Sequence, residues 1–148
     1  MPKIDFYILN ESHSSARLQL ACRLIEKAYK QKHRIYIHTE NSNDAHQLDE
    51  LLWTYREDSF LPHNLLGDGP EPAPPIQIGF TQPPEKHRDI LINLAHQVPE
   101  FHIQFNRILE LVDQNPIDQE SARERFRFYR NQQFSIRSTT LYRSYRPL

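Results

Sequence analysis

The chain has 148 residues, 38% hydrophobic and 25% charged, which fits one globular domain with its own core and excludes a disordered tail. Its single cysteine, Cys22, excludes an internal disulfide, and no apolar run reaches the roughly 18 residues that cross a bilayer. The net charge of -1 conceals an asymmetry: residues 121–148 carry seven arginines against one acid, Glu124, while the rest carries eleven Lys/Arg against eighteen Asp/Glu. An acidic body with a basic C-terminal end points to an anionic partner there, against the plainer alternative of a solvated helix face.

In chain order, Ile4-Asp5-Phe6-Tyr7-Ile8-Leu9 is β-rich and reads as a buried strand. The chain enters it directly from Met1, without a basic segment and a long apolar stretch. No secretory signal is therefore expected, and with the lone cysteine this suggests the cytoplasm. The polar turn Asn10 to Ser15 offers N-caps for a helix running to Lys32. Leu18, Ala21, Cys22, Ile25, Ala28 and Tyr29 form its apolar stripe. Cys22 within that stripe is a packed thiol, not a nucleophile. Ile35-Tyr36-Ile37-His38 is a second strand. A second helix begins near Ser42 with Ala45, Leu48, Leu52 and Tyr55 inward.

Glu57 to Pro75 holds five prolines and two of the three glycines, which makes it a long ordered loop with a short edge strand at Phe60-Leu61. Strands follow at Ile76 to Phe80 and Asp89 to Leu94, then a short helix over Pro99–Asn106 and a strand at Ile108 to Val112. Pro116 and Asp118 open a last helix to Asn131, and Phe134-Ser135-Ile136 is a brief extended piece. The alternation of strands and helices predicts an α/β fold with a mainly parallel sheet and right-handed crossovers. Residues 1–138 are read as one domain and 139–148 as a basic tail.

Catalytic signatures are missing. The turn after the first strand, Asn10-Glu11-Ser12-His13-Ser14, is neither a G-x-G-x-x-G nor a Walker loop. The eight histidines show no H-E-x-x-H spacing and Cys22 has no C-x-x-C partner, so neither metal nor cofactor is expected. His38, at a strand end, is the best-placed catalytic candidate, though a strand-end polar residue is the simpler reading.

Two constellations carry chemistry. In the last helix Arg123, Arg127 and Arg130 stand at i, i+4 and i+7, with Phe126 at the border of that stripe and Ala122 and Tyr129 inward. Guanidinium groups around an aromatic ring suit a carboxylate beside an apolar side chain, as at a peptide C-terminus. They also suit single-stranded nucleic acid stacking on Phe126 or Phe128. The second constellation is Trp53 with Phe60-Leu61-Pro62, either an interface anchor or a seal over the core.

These residues together resemble the chi subunit family of the bacterial DNA polymerase III holoenzyme. The resemblance rests on Phe6-Tyr7-Ile8-Leu9, on Leu48 to Trp53 followed by Ser59-Phe60-Leu61-Pro62-His63-Asn64-Leu65, on His87 to Leu94, and on Ala122 to Arg127 with Tyr129-Arg130. It implies a three-layer, Rossmann-like fold and an accessory protein of the clamp loader, without catalysis, that binds the psi subunit on one surface. On another it would bind the acidic C-terminal tail of single-stranded DNA-binding protein. DNA contact would then be indirect, with no membrane partner. Arg123, Phe126 and Arg127, flanked by Arg130, would hold the tail, Arg123 pairing its terminal carboxylate. Asn115 takes the place of an apolar residue that walls the pocket in the family, and the loop after it is shorter. Trp53 and Phe60, with Pro62 beside them, correspond to the psi surface, where a helicase is a further partner in some members.

Overall fold

The computed structural model describes residues 1–11, 15–55, 60–69 and 73–141. The elements are β1 (Lys3–Leu9), α1 (Ala16–Lys30), β2 (Ile35–His38), α2 (Ser42–Thr54), β3 (His63–Leu65), β4 (Ile76–Gly79), β5 (Ile90–Asn93), a 3₁₀ helix (Glu100–Gln104), β6 (Arg107–Val112), α3 (Pro116–Asn131) and β7 (Ser135–Leu141). The strands form one seven-stranded sheet in the order β3-β4-β2-β5-β6-β1-β7. Every strand pair in it is parallel.

Side-chain alternation along each strand builds two cores. Ile35, Ile37, Ile92, Leu109 and Leu111 pack under α1 and α2 with Leu20, Cys22, Ile25, Ala45 and Leu48. Ile4, Phe6, Tyr36, Leu91, Ile108 and Val112 face the opposite way, toward Phe101, Phe105, Ala122 and Tyr129. The architecture is therefore the expected three-layer α/β fold. Gly79 on β4 lies against Tyr36, and a Cβ there would come within 2.7 Å of the tyrosine oxygen.

Three elements differ from the sequence expectation, each for a local reason. The segment after Pro99 forms a five-residue 3₁₀ helix, too short to nucleate an α-helix, pinned by the burial of Phe101 and Phe105. The edge strand begins at His63, not Phe60, because Pro62 has no N–H to give to a ladder. The final strand runs seven residues, to Leu141, past the extended piece expected to end at Ile136. Its polar residues conceal a strand that packs weakly on both faces, though Thr139 and Thr140 favour extended backbone. Ser12 to Ser14, Ser59, Pro70, Pro72 and residues 142–148, including Arg143 and Arg146, lie outside the described residues.

Among the described residues, no helix is long and apolar enough to cross a membrane, and no three His, Cys, Asp or Glu side chains cluster as metal ligands would.

Candidate functional site

Helix α3 opens with a complete cap. Pro116 stands at its first position, and the exposed Asn115 side chain accepts from the backbone N–H of Ile117 (2.9 Å) and Asp118 (3.3 Å). Asp118 in turn accepts from the Asp113 N–H at 2.9 Å and lies 3.5 Å from the Arg17 guanidinium. Burial raises the Asp113 carboxyl pKa, with the neighbouring Asp118 adding to the shift.

The inward side of α3 carries a buried polar network that sequence spacing alone did not identify. Glu110 of β6, fully buried, accepts from Arg125 Nε (2.8 Å), the Tyr129 hydroxyl (2.6 Å) and Asn93 Nδ2 (3.0 Å). Arg125 is only 2% exposed, and its Nη1 donates to the His96 carbonyl at 3.0 Å and to Ser121 Oγ at 2.7 Å. Burial first, and the Glu110 carboxylate second, drive the Tyr129 pKa well above its ordinary value. The signal was present in the spacing: Ala122, Arg125 and Tyr129 lie at i, i+3 and i+7, one helical face. The network fixes both the height and the rotation of α3 over the sheet.

That rotation turns the next side of α3 toward β1 and β7 and leaves a hollow of about 220 Å³. Phe6, Ile8, Val112, Ala122 and Phe126 form its apolar wall, and Gln119, Arg123 and Ser138 its polar rim. The half-buried Phe126 ring leans on Phe6 with centroids 5.3 Å apart at 59°. An apolar cavity of about 150 Å³ holds a benzene ring, so this one has room for an aromatic side chain. Arg123 is exposed at the mouth, and among the described residues no carboxylate pairs with it. Arg127 is exposed and pairs with Glu124, one turn away. Arg130 is exposed on the same stripe. Arg127, Arg130 and Asn115 all stand outside the wall of the hollow. Asn115 therefore acts on it through the cap of α3.

The second aromatic constellation lies on the opposite face, near the other end of the sheet. Trp53 at the end of α2 is 56% exposed and Phe60 68%, with ring centroids 6.0 Å apart. Pro62 is half-buried beside them. Beneath sits His63, buried, its ring 4.5 Å from Trp53. Its Nδ1 lies 2.5 Å from the Leu61 carbonyl oxygen and its Nε2 3.3 Å from Asp49 Oδ1. His63 thus ties the loop that carries Phe60 to the helix that carries Trp53, a role that no spacing revealed.

His38 is half-buried. Burial lowers its pKa, against the opposing charge of Glu40. Its ring packs edge-on against Phe101 at 5.1 Å, 3.4 Å from the Tyr36 hydroxyl. The first is a packing contact and the second a hydrogen bond between the Tyr36 hydroxyl and His38 Nδ1, and neither the hollow beside α3 nor the polar cleft between β1 and the end of α1 includes His38.

The family model described as "DNA polymerase III chi subunit, HolC" matches residues 1–137. The chain belongs to the DNA polymerase III chi subunit family. Members of the chi family are accessory subunits of the replicative polymerase. DNA polymerase III subunit chi of Pseudomonas aeruginosa is 41% identical over 141 residues, covering 95% of this chain and 98% of the relative. That of Escherichia coli is 32% identical over 145 residues, covering 95% and 99%. That of Haemophilus influenzae is 31% identical over 133 residues, covering 89% and 92%. Among solved structures, the crystal structure of T4 UvsW is similar in fold, with a TM-score of 0.67 at 11% identity. The match covers 95% of this chi-family chain but 41% of that one, and at such identity it speaks for the fold alone.

Proposed function

We propose that this chain is a non-catalytic adaptor of the replicative polymerase, linking the clamp loader, through psi, to single-stranded DNA-binding protein. The hollow beside α3 grips the acidic C-terminal tail of the latter. One observation carries this: an apolar hollow large enough for one ring, with the exposed guanidinium of Arg123, unpaired among the described residues, at its mouth. An aromatic terminal side chain would fill the space walled by Phe6, Ile8, Val112 and Phe126, and its free carboxylate would meet Arg123. Arg127 and Arg130 would draw the acidic residues upstream. The exposed Trp53–Phe60 pair is the surface offered to an amphipathic helix of psi, and to a helicase where one competes.

Direct binding of single-stranded DNA by the same arginines is the weaker reading. Arg125 is spent on Glu110, Arg127 on Glu124 and Arg137 on Asp5, so less of the basic end is free than its count suggests.

The test is a calorimetric titration with an acidic peptide ending in Phe. Arg123→Ala should weaken binding by about 1–3 kcal/mol, and amidating the peptide's terminus should cost wild type a similar amount. Equal affinity of wild type and Arg123→Ala would remove the tail from this hollow.

A further inference from the structure

The two edges of the sheet differ in a way the adaptor reading does not use. The β3 edge is three residues long, begins directly after Pro62, and is followed by Gly67 and Gly69. It is a blunted edge of the kind that resists pairing. The β7 edge is seven residues long, Ser135-Ile136-Arg137-Ser138-Thr139-Thr140-Leu141. It holds no proline, glycine or lysine. Its one charge, Arg137, is turned to Asp5 at 3.3 Å. Among the described residues no strand lies beyond it. An edge of this length, unguarded among the described residues, is a template for another strand.

This edge is continuous with the hollow. Ile136 packs in the α3-side core and Ser138 lines the hollow itself, while Arg137 and Leu141 face the other side of the sheet. Alternation therefore points Thr140 to the α3 side as well. A polypeptide leaving the hollow at Ser138 meets the open edge at once. The arginine stripe gives the direction. From Arg123 to Arg130 α3 descends about 10 Å, the length of roughly three extended residues, toward the start of β7. A chain anchored by its C-terminus at Arg123 and drawn along Arg130 runs parallel to β7, as every neighbouring pair in the sheet already does.

We propose that the β7 edge is a second half of the binding site. The segment upstream of an acidic, apolar-ended tail adds to it as an eighth parallel strand. This rests on the hollow being the seat of the tail's last residue. Backbone hydrogen bonds to β7 would hold the segment whatever its side chains, and alternate acidic residues would face the arginine stripe.

The experiment uses the full chain and four peptides. One is a ten-residue acidic peptide ending in Phe, and one is its last four residues alone. The other two are the ten-residue peptide with alternate upstream amides N-methylated, in each of the two alternating sets. Strand addition predicts that the long peptide binds tighter than the short one. One methylated set should lose that advantage, roughly tenfold, while the set whose N–H groups point outward keeps it. Slowed amide exchange within Ser135 to Ser138, the stretch of β7 that the upstream segment would follow, on adding the long peptide but not the short one, would support the same conclusion. If both methylated peptides bind as the unmodified one does, the added strand is refuted while the hollow survives. If no peptide binds, the hollow itself falls and the strand with it. A peptide-independent dimer joined through β7 would assign this edge to a second copy and overturn the proposal.

Discussion

Arg125 and Arg123 are two residues apart, and the structure gives them opposite consequences. Arg125→Met removes the counter-charge of a fully buried carboxylate together with three hydrogen bonds, to Glu110, His96 and Ser121. Glu110 keeps only the Tyr129 hydroxyl and Asn93 as donors. Breaking a buried pair from one side costs about 3–5 kcal/mol, because the remaining charge cannot reach water. In a domain of this size that lowers Tm by about 10 °C. Arg123→Ala, at an exposed site, should change stability by less than about 0.5 kcal/mol. Urea unfolding followed by circular dichroism reads both, and the slope with denaturant should not change. Arg125→Met combined with Glu110→Leu should cost less than the two singles summed, since no lone charge is left. It should still fall short of wild type, because the Tyr129 hydroxyl loses its acceptor, at about 1–3 kcal/mol, while Asn93 Nδ2 keeps the Gln97 carbonyl. If Arg125→Met unfolded within about 1 kcal/mol of wild type, the claim that this network sets the position of α3 would be wrong.

Replacing Trp53 and Phe60 together by Ala should leave stability within about 1 kcal/mol, yet abolish co-purification with psi, since exposed paired rings act as interface hot spots. Retained co-purification would clear that surface of the role. Burial pushes the Cys22 thiol from its ordinary 9.0 up to about 12. Its contribution to stability is therefore complete below pH 9 and is lost as pH rises toward 12, and Ellman's reagent should label Cys22 at the rate of global unfolding. Labelling of the native protein at the rate of an exposed thiol would contradict this. Burial lowers the pKa of both His38 and His87. The unfolded chain then binds more protons than the folded one below about pH 6.5, and stability should fall as pH drops from there. His38→Asn should flatten that fall, and an unchanged pH profile would show His38 to be uninvolved.

Much of this molecule is written in hydrophobic spacing. The stripes of α1 and α2, the buried strands and the inward face of α3 all follow from period, and the Arg123–Phe126 pair stood out because charge and ring alternate there. What stayed hidden does not repeat. Arg125 looked like one more solvated arginine, and only its partner across 15 residues, Glu110, makes it structural. Arg137 finds Asp5 across 132 residues, which no window can register. β7 is polar from Arg137 to Thr140, so hydrophobic alternation reached only its start at Ser135-Ile136, and His63 earns its place through a carbonyl and a carboxylate brought near by the fold.

The strand order has one more consequence. Trp53 and Phe60 sit by β3 on the α2 side, and the hollow opens between β1 and β7 on the α3 side. Five inter-strand steps of about 4.8 Å lead from β3 to β1 and six to β7, roughly 24–29 Å. The two places share no residue. Were both places occupied as proposed, the sheet would be the spacer between them, and holding two partners through it would require no switch inside the molecule.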